Sequence, residues 1–151
     1  MSKRSRLHAS CVSVDGNGIL LLGEPGAGKS DLSLRLIDRG AQLVADDQVE
    51  LILHGKAIEA AAPESIAGLI EVRGVGIFRM EFAGRVPVLL VVQLAKLEWI
   101  ERLPYPEPYE CMGVQIPQLR LWAFEPAAAI KVEMAVAALQ DGSMTVGALK
   151  E

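Results

Sequence analysis

The chain has 151 residues, of which 51% are hydrophobic, and a formal net charge of -4. This length fits about one domain with a sizeable core, and a pI near 5.3 argues against nucleic acid or an anionic membrane as the main partner. Two cysteines are too few for a zinc ligand set or a disulfide framework, so we expect buried thiols in a cytoplasmic protein.

The amino terminus is basic, and no sustained apolar segment of a signal peptide follows it. We therefore predict a mobile tail over residues 1–6. Residues 7–14 predict a strand, and the Asp-Gly-Asn-Gly turn at 15–18 predicts a hairpin with the strand after it. That hairpin brings His8 toward the loop that follows its second strand. A hydrogen-bonded structural histidine is the commoner case, and a role in charge or proton transfer stays open.

A glycine-rich loop organises the chain. It follows a short apolar run at residues 19–22 and precedes a predicted helix over 31–39, which Gly40 stops. The loop has two glycines separated by four residues, then Lys and Ser, and this is the P-loop pattern. Its members are Gly23, Glu24, Pro25, Gly26, Ala27, Gly28, Lys29 and Ser30. The flanking strand and helix are the context that this motif needs.

The residue types of the loop suit the binding of a nucleotide. Glycines let the backbone turn its N–H groups onto phosphate oxygens, and the helix that follows offers the positive end of its dipole. We expect Lys29 to reach the β- and γ-phosphates of ATP and the Ser30 hydroxyl to hold Mg²⁺. Asp31 completes the predicted nucleotide-binding segment. A chance glycine turn is the alternative, and the flanking elements weigh against it.

Two adjacent carboxylates, Asp46 and Asp47, follow a predicted strand at residues 42–45. They stand where P-loop enzymes place an acid that holds Mg²⁺ directly or through water. Neighbouring side chains of a regular strand point to opposite faces, so only a bend would bring both into one site. We predict that Asp47 is the catalytic base and that Asp46 supports the metal, although the spacing does not fix this order. A solvated acid pair is the structural alternative.

The second half of the chain predicts mainly strands. Residues 49–53 and 57–60 predict a hairpin, and 70–77 predict a β-like run in which two glycines indicate a bulge or the close approach of another group to the backbone. Glu71 and Arg73 are alternate residues and can face one side of that run, although two solvated charges are an equal alternative. The remaining predictions are strands over 78–83 and 86–94, an extended loop over 99–109, a strand over 114–121, a helix over 127–140 and a frayed end over 141–151.

Together these pieces resemble the catalytic domain of HPr kinase/phosphorylase, a bacterial enzyme family that phosphorylates a serine of the phosphocarrier protein HPr. The resemblance rests on the position of His8 and on residues 28–31, 39–40, 43–47 and 70–77. The Ala-Asp-Asp piece within 43–47 and the Glu-x-Arg-Gly-x-Gly piece within 70–77 are much more specific than a P-loop alone.

The resemblance implies roles for the residues left open above. It places Glu71 with Ser30 near Mg²⁺, and it assigns to the acid pair the group that activates the substrate serine. It also places His8 in the active site and Arg73 at the phosphate or substrate surface. These roles are implied by the family rather than by spacing.

The resemblance further implies a single α/β catalytic domain over 1–151, with a P-loop, a mixed sheet and flanking helices, related to phosphoenolpyruvate carboxykinase and assembled as hexamers. Longer members carry a preceding domain, and short forms resemble those of alphaproteobacteria, where a role in phosphotransferase-system regulation is expected. The family usually has a Pro-Gly-Arg-Asn stretch associated with the reverse, phosphorolytic reaction, and residues 122–127 differ from it.

The expected function is therefore an ATP- and Mg²⁺-dependent serine kinase acting on HPr, with phosphorolysis left open. A small-molecule kinase or nucleotide hydrolase would use the same loop. A nucleotide sensor without catalysis is a third interpretation, which the combination of Lys29, Asp46, Asp47 and Glu71 disfavours because a sensor needs no base.

Overall fold

The computed structural model describes residues 3–150. Within this range the chain forms twelve strands and two α-helices. In chain order they are β1 (Lys3–Leu7), β2 (Ser10–Val14), β3 (Asn17–Leu22), α1 (Lys29–Asp38), β4 (Gln42–Ala45), β5 (Val49–His54), β6 (Ala57–Ala61), β7 (Leu69–Val72), β8 (Gly76–Arg79), β9 (Val86–Leu94), β10 (Tyr109–Cys111), β11 (Val114–Ile116), β12 (Gln118–Leu121) and α2 (Ala128–Asp141). Neither helix is long and apolar enough to cross a membrane.

Eight of the strands form one mixed sheet in the order β1-β5-β6-β9-β3-β2-β4, and β12 also pairs with β9. Strands β3 and β12 run parallel to β9, whereas the other pairs in the sheet are antiparallel. The carboxyl ends of β3, β9 and β12 therefore meet at one edge, which is where α/β sheets bind ligands. This architecture confirms the predicted α/β fold with a mixed sheet and flanking helices.

The sheet is covered on both faces, and β3 shows how its sequence achieves this. Ile19 and Leu21 pack in a core with α1 and α2, while Leu20 and Leu22 pack in a second core on the opposite face. Successive side chains of a strand alternate between faces, so an unbroken apolar run fits a strand that is buried on both sides. The second core also holds residues of β5 and β6, over which the sheet curls.

The tail predicted over residues 1–6 is wrong where the structure describes it, because β1 pairs with β5 along its whole length. The guanidinium groups of Arg4 and Arg6 lie 3.4 and 3.1 Å from the carboxylate of Glu50. The basic residues are thus the solvated side chains of an edge strand, a pattern that also discourages edge-to-edge aggregation. Residues 1, 2 and 151 lie outside the described part of the chain.

Three further strand predictions differ from the structure. The predicted strand over 114–121 is broken at Pro117, which has no N–H for a ladder, and its halves pair with β10 and β9 respectively. The predicted run over 70–77 is a hairpin of β7 and β8 rather than one bulged strand. Gly74 in its turn has φ of +84°, a conformation that suits glycine. Strand β8 ends at Arg79, short of the predicted 83.

Both predicted hairpins are confirmed, since β2 pairs with β3 and β5 with β6. The predicted central strand over 86–94 is also confirmed as β9, which pairs with β6, β3 and β12. Helix α1 begins at Lys29, two residues before the predicted start. The helix therefore starts directly at the end of the glycine-rich loop.

Candidate active site

The loop of residues 23–28 joins the end of buried β3 to the start of α1. Gly28 caps the helix with φ of 102°. A Cβ at this position would lie 2.7 Å from the Cβ of Ala123, in the segment after β12. Glycine is thus required both by the backbone conformation and by the close approach of a neighbouring segment. The loop is held against the carboxyl edge of the sheet.

Lys29 folds back onto this loop. The residue is 9% exposed, and Nζ donates hydrogen bonds to the carbonyl oxygens of Gly23 at 2.7 Å and Glu24 at 3.2 Å. A nearly buried ammonium group is stable here because carbonyl oxygens replace its water. The ammonium group therefore lies directly against the backbone of the loop.

Asp46 is the best-anchored acid of the site. The residue is only 7% exposed. Its Oδ1 accepts hydrogen bonds from Ser30 Oγ at 2.7 Å and Ser10 Oγ at 3.0 Å. Its Oδ2 accepts a hydrogen bond from the backbone N–H of Glu71 at 3.2 Å. Hydrogen bonds to a carboxylate are shorter and stronger than neutral ones. Asp46 therefore ties the first turn of α1 to β2 and β7.

Asp47 turns away from its neighbour and meets His8. Its backbone has φ of 73°, an unusual conformation for a residue other than glycine. Asp47 Oδ1 lies 3.4 Å from His8 Nε2, and Gln48 Nε2 lies 3.4 Å from His8 Nδ1. With the His8 proton on Nε2, the ring accepts from Gln48 and donates toward Asp47. The backbone thus bends at Asp47, and the two adjacent acids contact different partners.

The sequence predicted a continuous strand over residues 7–14. The structure instead places His8 in a two-residue break between β1 and β2. The break is fixed because the backbone N–H of Ala9 donates to the carbonyl oxygen of Asp47 at 3.2 Å. His8 and Asp47 are both well exposed, with side chains 52% and 67% accessible. The structure therefore offers a buried acid beside the loop and an exposed acid and histidine in front of it.

Three of the predicted site residues stand apart from this cluster. Glu71 contributes its backbone N–H to Asp46, while its side chain is exposed. Arg73 follows the end of β7 and lies exposed in the β7–β8 turn, so Glu71 and Arg73 are both solvated charges, which is one of the two alternatives that the sequence left open. Asp31 pairs with Arg35, one helical turn on, at 2.9 Å on the surface.

Sequence reasoning missed Ser10 and Gln48. Ser10 is completely buried in β2, and a single serine in an apolar strand carries no signal of its contact with an acid 36 residues away. Gln48 follows the acid pair directly in the sequence, and this position was the one signal that could have found it.

The donor atoms beside the loop fit Mg²⁺. This ion takes oxygen ligands and is commonly bound by one or two carboxylates together with substrate phosphates, and here a serine hydroxyl and a carboxylate lie side by side. Residues 3–150 contain no group of three His, Cys, Asp or Glu side chains able to hold a metal by themselves. The site thus suits a metal that arrives with a phosphate-bearing ligand.

A glycine-rich loop between a buried parallel strand and a helix, with an acid at its side, is typical of the P-loop class of nucleotide-binding α/β proteins. The family described as HPr Serine kinase C-terminal domain matches residues 1–151. The chain therefore belongs to this family, and the resemblance seen in the sequence is confirmed.

Curated relatives named HPr kinase/phosphorylase support the same assignment. The protein of Caldicellulosiruptor bescii is 35% identical over 97% of this chain and 51% of its own length. That of Caldanaerobacter subterraneus is 33% identical over 93% of this chain and 50% of its own length. The chain thus spans about half the length of these relatives.

A solved structure described as the Hpr(Ser) kinase/phosphatase from Coxiella burnetii superposes with a TM-score of 0.81 at 28% sequence identity. The match covers 91% of this chain and 92% of that one. The curled mixed sheet and its flanking helices are therefore common to both proteins.

Proposed function

We propose that this chain transfers the γ-phosphoryl group of ATP, with Mg²⁺, to a serine of HPr or a closely related phosphocarrier protein. The observation that carries the proposal is the 2.7 Å hydrogen bond from Ser30 to Asp46. It joins the start of the helix behind the phosphate loop to Asp46, the chain neighbour of Asp47, and so supports one site for nucleotide binding and proton acceptance. Family membership and the names of the relatives support HPr as the substrate.

In this proposal the loop amides and Lys29 bind the phosphates. Ser30 and Asp46 hold the metal, and Glu71 joins them from β7, where its backbone is already hydrogen-bonded to Asp46. When bound, Mg²⁺ neutralises charge on the phosphates. The chain supplies positioning and electrostatic stabilisation, which are the main requirements of phosphoryl transfer.

Asp47 accepts the proton of the incoming serine. His8 orients this carboxylate from 3.4 Å, and Gln48 holds the far side of the imidazole ring. Both Asp47 and His8 are exposed, which suits a serine presented on the surface of a protein better than a small molecule enclosed in a pocket. Arg73, in the neighbouring β7–β8 turn, is proposed to contact the phosphate or the protein substrate.

The same proposal covers the setting of the enzyme. It acts in the cytoplasm in regulation of the phosphotransferase system, and it assembles as a hexamer. Phosphorolysis of phospho-HPr, which the names of the relatives include, is proposed as a second activity of the same groups. This reaction would run with inorganic phosphate as the acceptor.

The test is to incubate the purified chain with radiolabelled ATP, Mg²⁺ and HPr from the same cell, then to add phosphate. Label on an HPr serine supports the kinase, and its loss after phosphate addition supports phosphorolysis. We expect Asp47→Asn to abolish transfer while nucleotide binding stays nearly intact, and Asp38→Asn, at an exposed position of α1, to transfer normally. Bound ATP without labelled HPr, or an active Asp47→Asn variant, would contradict the assignment.

A further inference from the structure

A cleft of about 570 Å³ opens beside the phosphate loop, between residues 23–27, the end of β9 and the segment after β12. In the sheet, β3 separates β9 and β12 from β2 and β4. The cleft therefore lies on one side of the loop and the acid pair on the other. Its size is within the range of small-molecule sites.

Three aromatic side chains line this cleft: Trp99, Trp122 and Phe124. Trp99 is 68% exposed, and Phe124 is also exposed. The rings of Trp122 and Phe124 meet edge to face with centroids 6.5 Å apart. Large apolar surfaces gathered in this way on a soluble domain mark a binding surface.

Polar groups in the cleft complement the aromatic rings. Lys96 Nζ lies 5.7 Å from the centre of the Trp99 ring and brings positive charge to the entrance. Gln93 Nε2 donates to Gln118 Oε1 at 2.9 Å, so the amide of Gln93 offers its oxygen as an acceptor to a ligand. An acceptor and a cation beside aromatic rings suit a heteroaromatic amine that carries phosphate groups.

We propose that this cleft binds the purine base of the nucleotide, with the base against the aromatic side chains and the exocyclic amine near Gln93. This proposal rests on the proposed function, because a phosphate chain in the loop has its transferable end at the acid pair. The other end of the nucleotide then leaves the loop on the side of β9 and β12. The aromatic cleft is the surface that it meets there.

Phe124 also explains why the cleft and the loop are one unit. A Cβ at Gly28 would lie 3.1 Å from the Phe124 ring, so this ring packs directly on the end of the phosphate loop. A change at Phe124 would therefore disturb phosphate binding as well. Trp99 is the better residue to test, because it belongs to the segment after β9 and is not among the nearest contacts of Gly28.

The chain has two tryptophans, and both line the cleft. Intrinsic fluorescence therefore reports its occupancy directly. We expect Mg²⁺-ATP to change the emission and Mg²⁺-tripolyphosphate, which has no base, to leave it nearly unchanged while binding in a calorimeter. Trp99→Leu should weaken ATP binding about tenfold, as expected for loss of one stacking partner, without changing the affinity for tripolyphosphate. Tyr105→Leu, an exposed aromatic residue outside the cleft, is the matched control.

The proposal would be overturned by equal affinities of the wild-type chain for ATP and tripolyphosphate, or by a Trp99→Leu variant that binds ATP as tightly as the wild type. A tenfold loss that applies equally to tripolyphosphate would also overturn it, since the effect would then lie in the loop. Failure to phosphorylate HPr despite the expected binding results would contradict the proposed function alone. The two proposals thus fail separately.

Discussion

Asp46 depends on donors from three different elements, and Ser10 is the one furthest from any recognisable motif. Ser10→Ala leaves Oδ1 of this buried carboxylate with Ser30 as its remaining side-chain donor. Hydrogen bonds to charged groups contribute more than neutral ones, so we expect a loss of about 2 kcal/mol in the free energy of unfolding. We also expect a higher Mg²⁺ requirement for turnover, because Asp46 is less firmly held.

Urea unfolding and a Mg²⁺ titration of the kinase reaction measure these two effects. Ser13→Ala is the matched control, since Ser13 is also buried in β2 and is not hydrogen-bonded to Asp46. An unchanged Mg²⁺ requirement in Ser10→Ala would show that Ser10 has only a structural role.

The buried thiol of Cys11 should make the free energy of unfolding depend on pH. Burial raises its pKa from 9.0 to about 12, so the folded chain keeps the proton where the unfolded chain loses it. The stabilisation is complete below pH 9 and is lost as the pH rises toward 12, by about 1.4 kcal/mol per pH unit. Between pH 8 and 10, the free energy of unfolding measured in urea should therefore fall less steeply with pH for Cys11→Ala than for the wild type. Parallel pH profiles would contradict this.

At the scale of elements, the phosphate loop and the segment after β12 are fitted to each other at Gly28. Gly28→Ala meets both an unfavourable φ of +102° and the Cβ of Ala123 at 2.7 Å. Gly55→Ala, in the β5–β6 turn, meets a φ of +65° with open space around it. The positive φ alone costs an alanine about 1 kcal/mol, and only Gly28→Ala adds a steric contact to this cost. Gly28→Ala should therefore lose clearly more stability than Gly55→Ala, and it should also bind ATP weakly. Equal losses would show that the contact with Ala123 is unimportant.

Elements that are set by local sequence patterns could be predicted, whereas pairings between distant strands could not. The hairpins and α1 follow from turn residues and from the loop pattern, which act within a few positions of the chain. The pairing of β3 with β9, by contrast, joins residues about 70 positions apart, and no local pattern encodes it. The contact of Ser10 with Asp46 depends on the pairing of β2 with β4, and the aromatic cleft depends on the segments after β9 and β12. Both were missed for the same reason, since each joins residues that are distant in the sequence.

The arginines of β1 show the converse problem. Local composition favours a solvated tail, and the charges are indeed exposed. The strand forms because β5 offers an edge with Glu50 placed opposite Arg6 in the register. Composition predicted the environment of these side chains correctly, whereas the backbone was decided by a partner strand elsewhere in the chain.

At the scale of the whole molecule, two cores share one sheet. Cys11 and Val12 are neighbours in β2 yet belong to opposite cores, so neither core can open without disrupting the other. We therefore expect a single cooperative unfolding transition. Circular dichroism, which reports the strands and helices, and tryptophan fluorescence, which reports the cleft, should give the same urea midpoint. Separate midpoints would show that the loop side unfolds independently.

Ligand binding should stabilise this cooperative unit as a whole. At a hundredfold excess over the dissociation constant, a ligand adds about 2.7 kcal/mol, which for a chain of this size raises the thermal midpoint by roughly 5 to 10 °C. Mg²⁺-ATP should produce this shift in the wild type and in Lys56→Ala, an exposed turn variant. Lys29→Ala loses two hydrogen bonds to the loop carbonyls and so starts from a lower midpoint; the informative quantity is its additional shift on adding ligand. We expect that shift to be small, and a full-sized one would contradict the assignment of Lys29 to the phosphates.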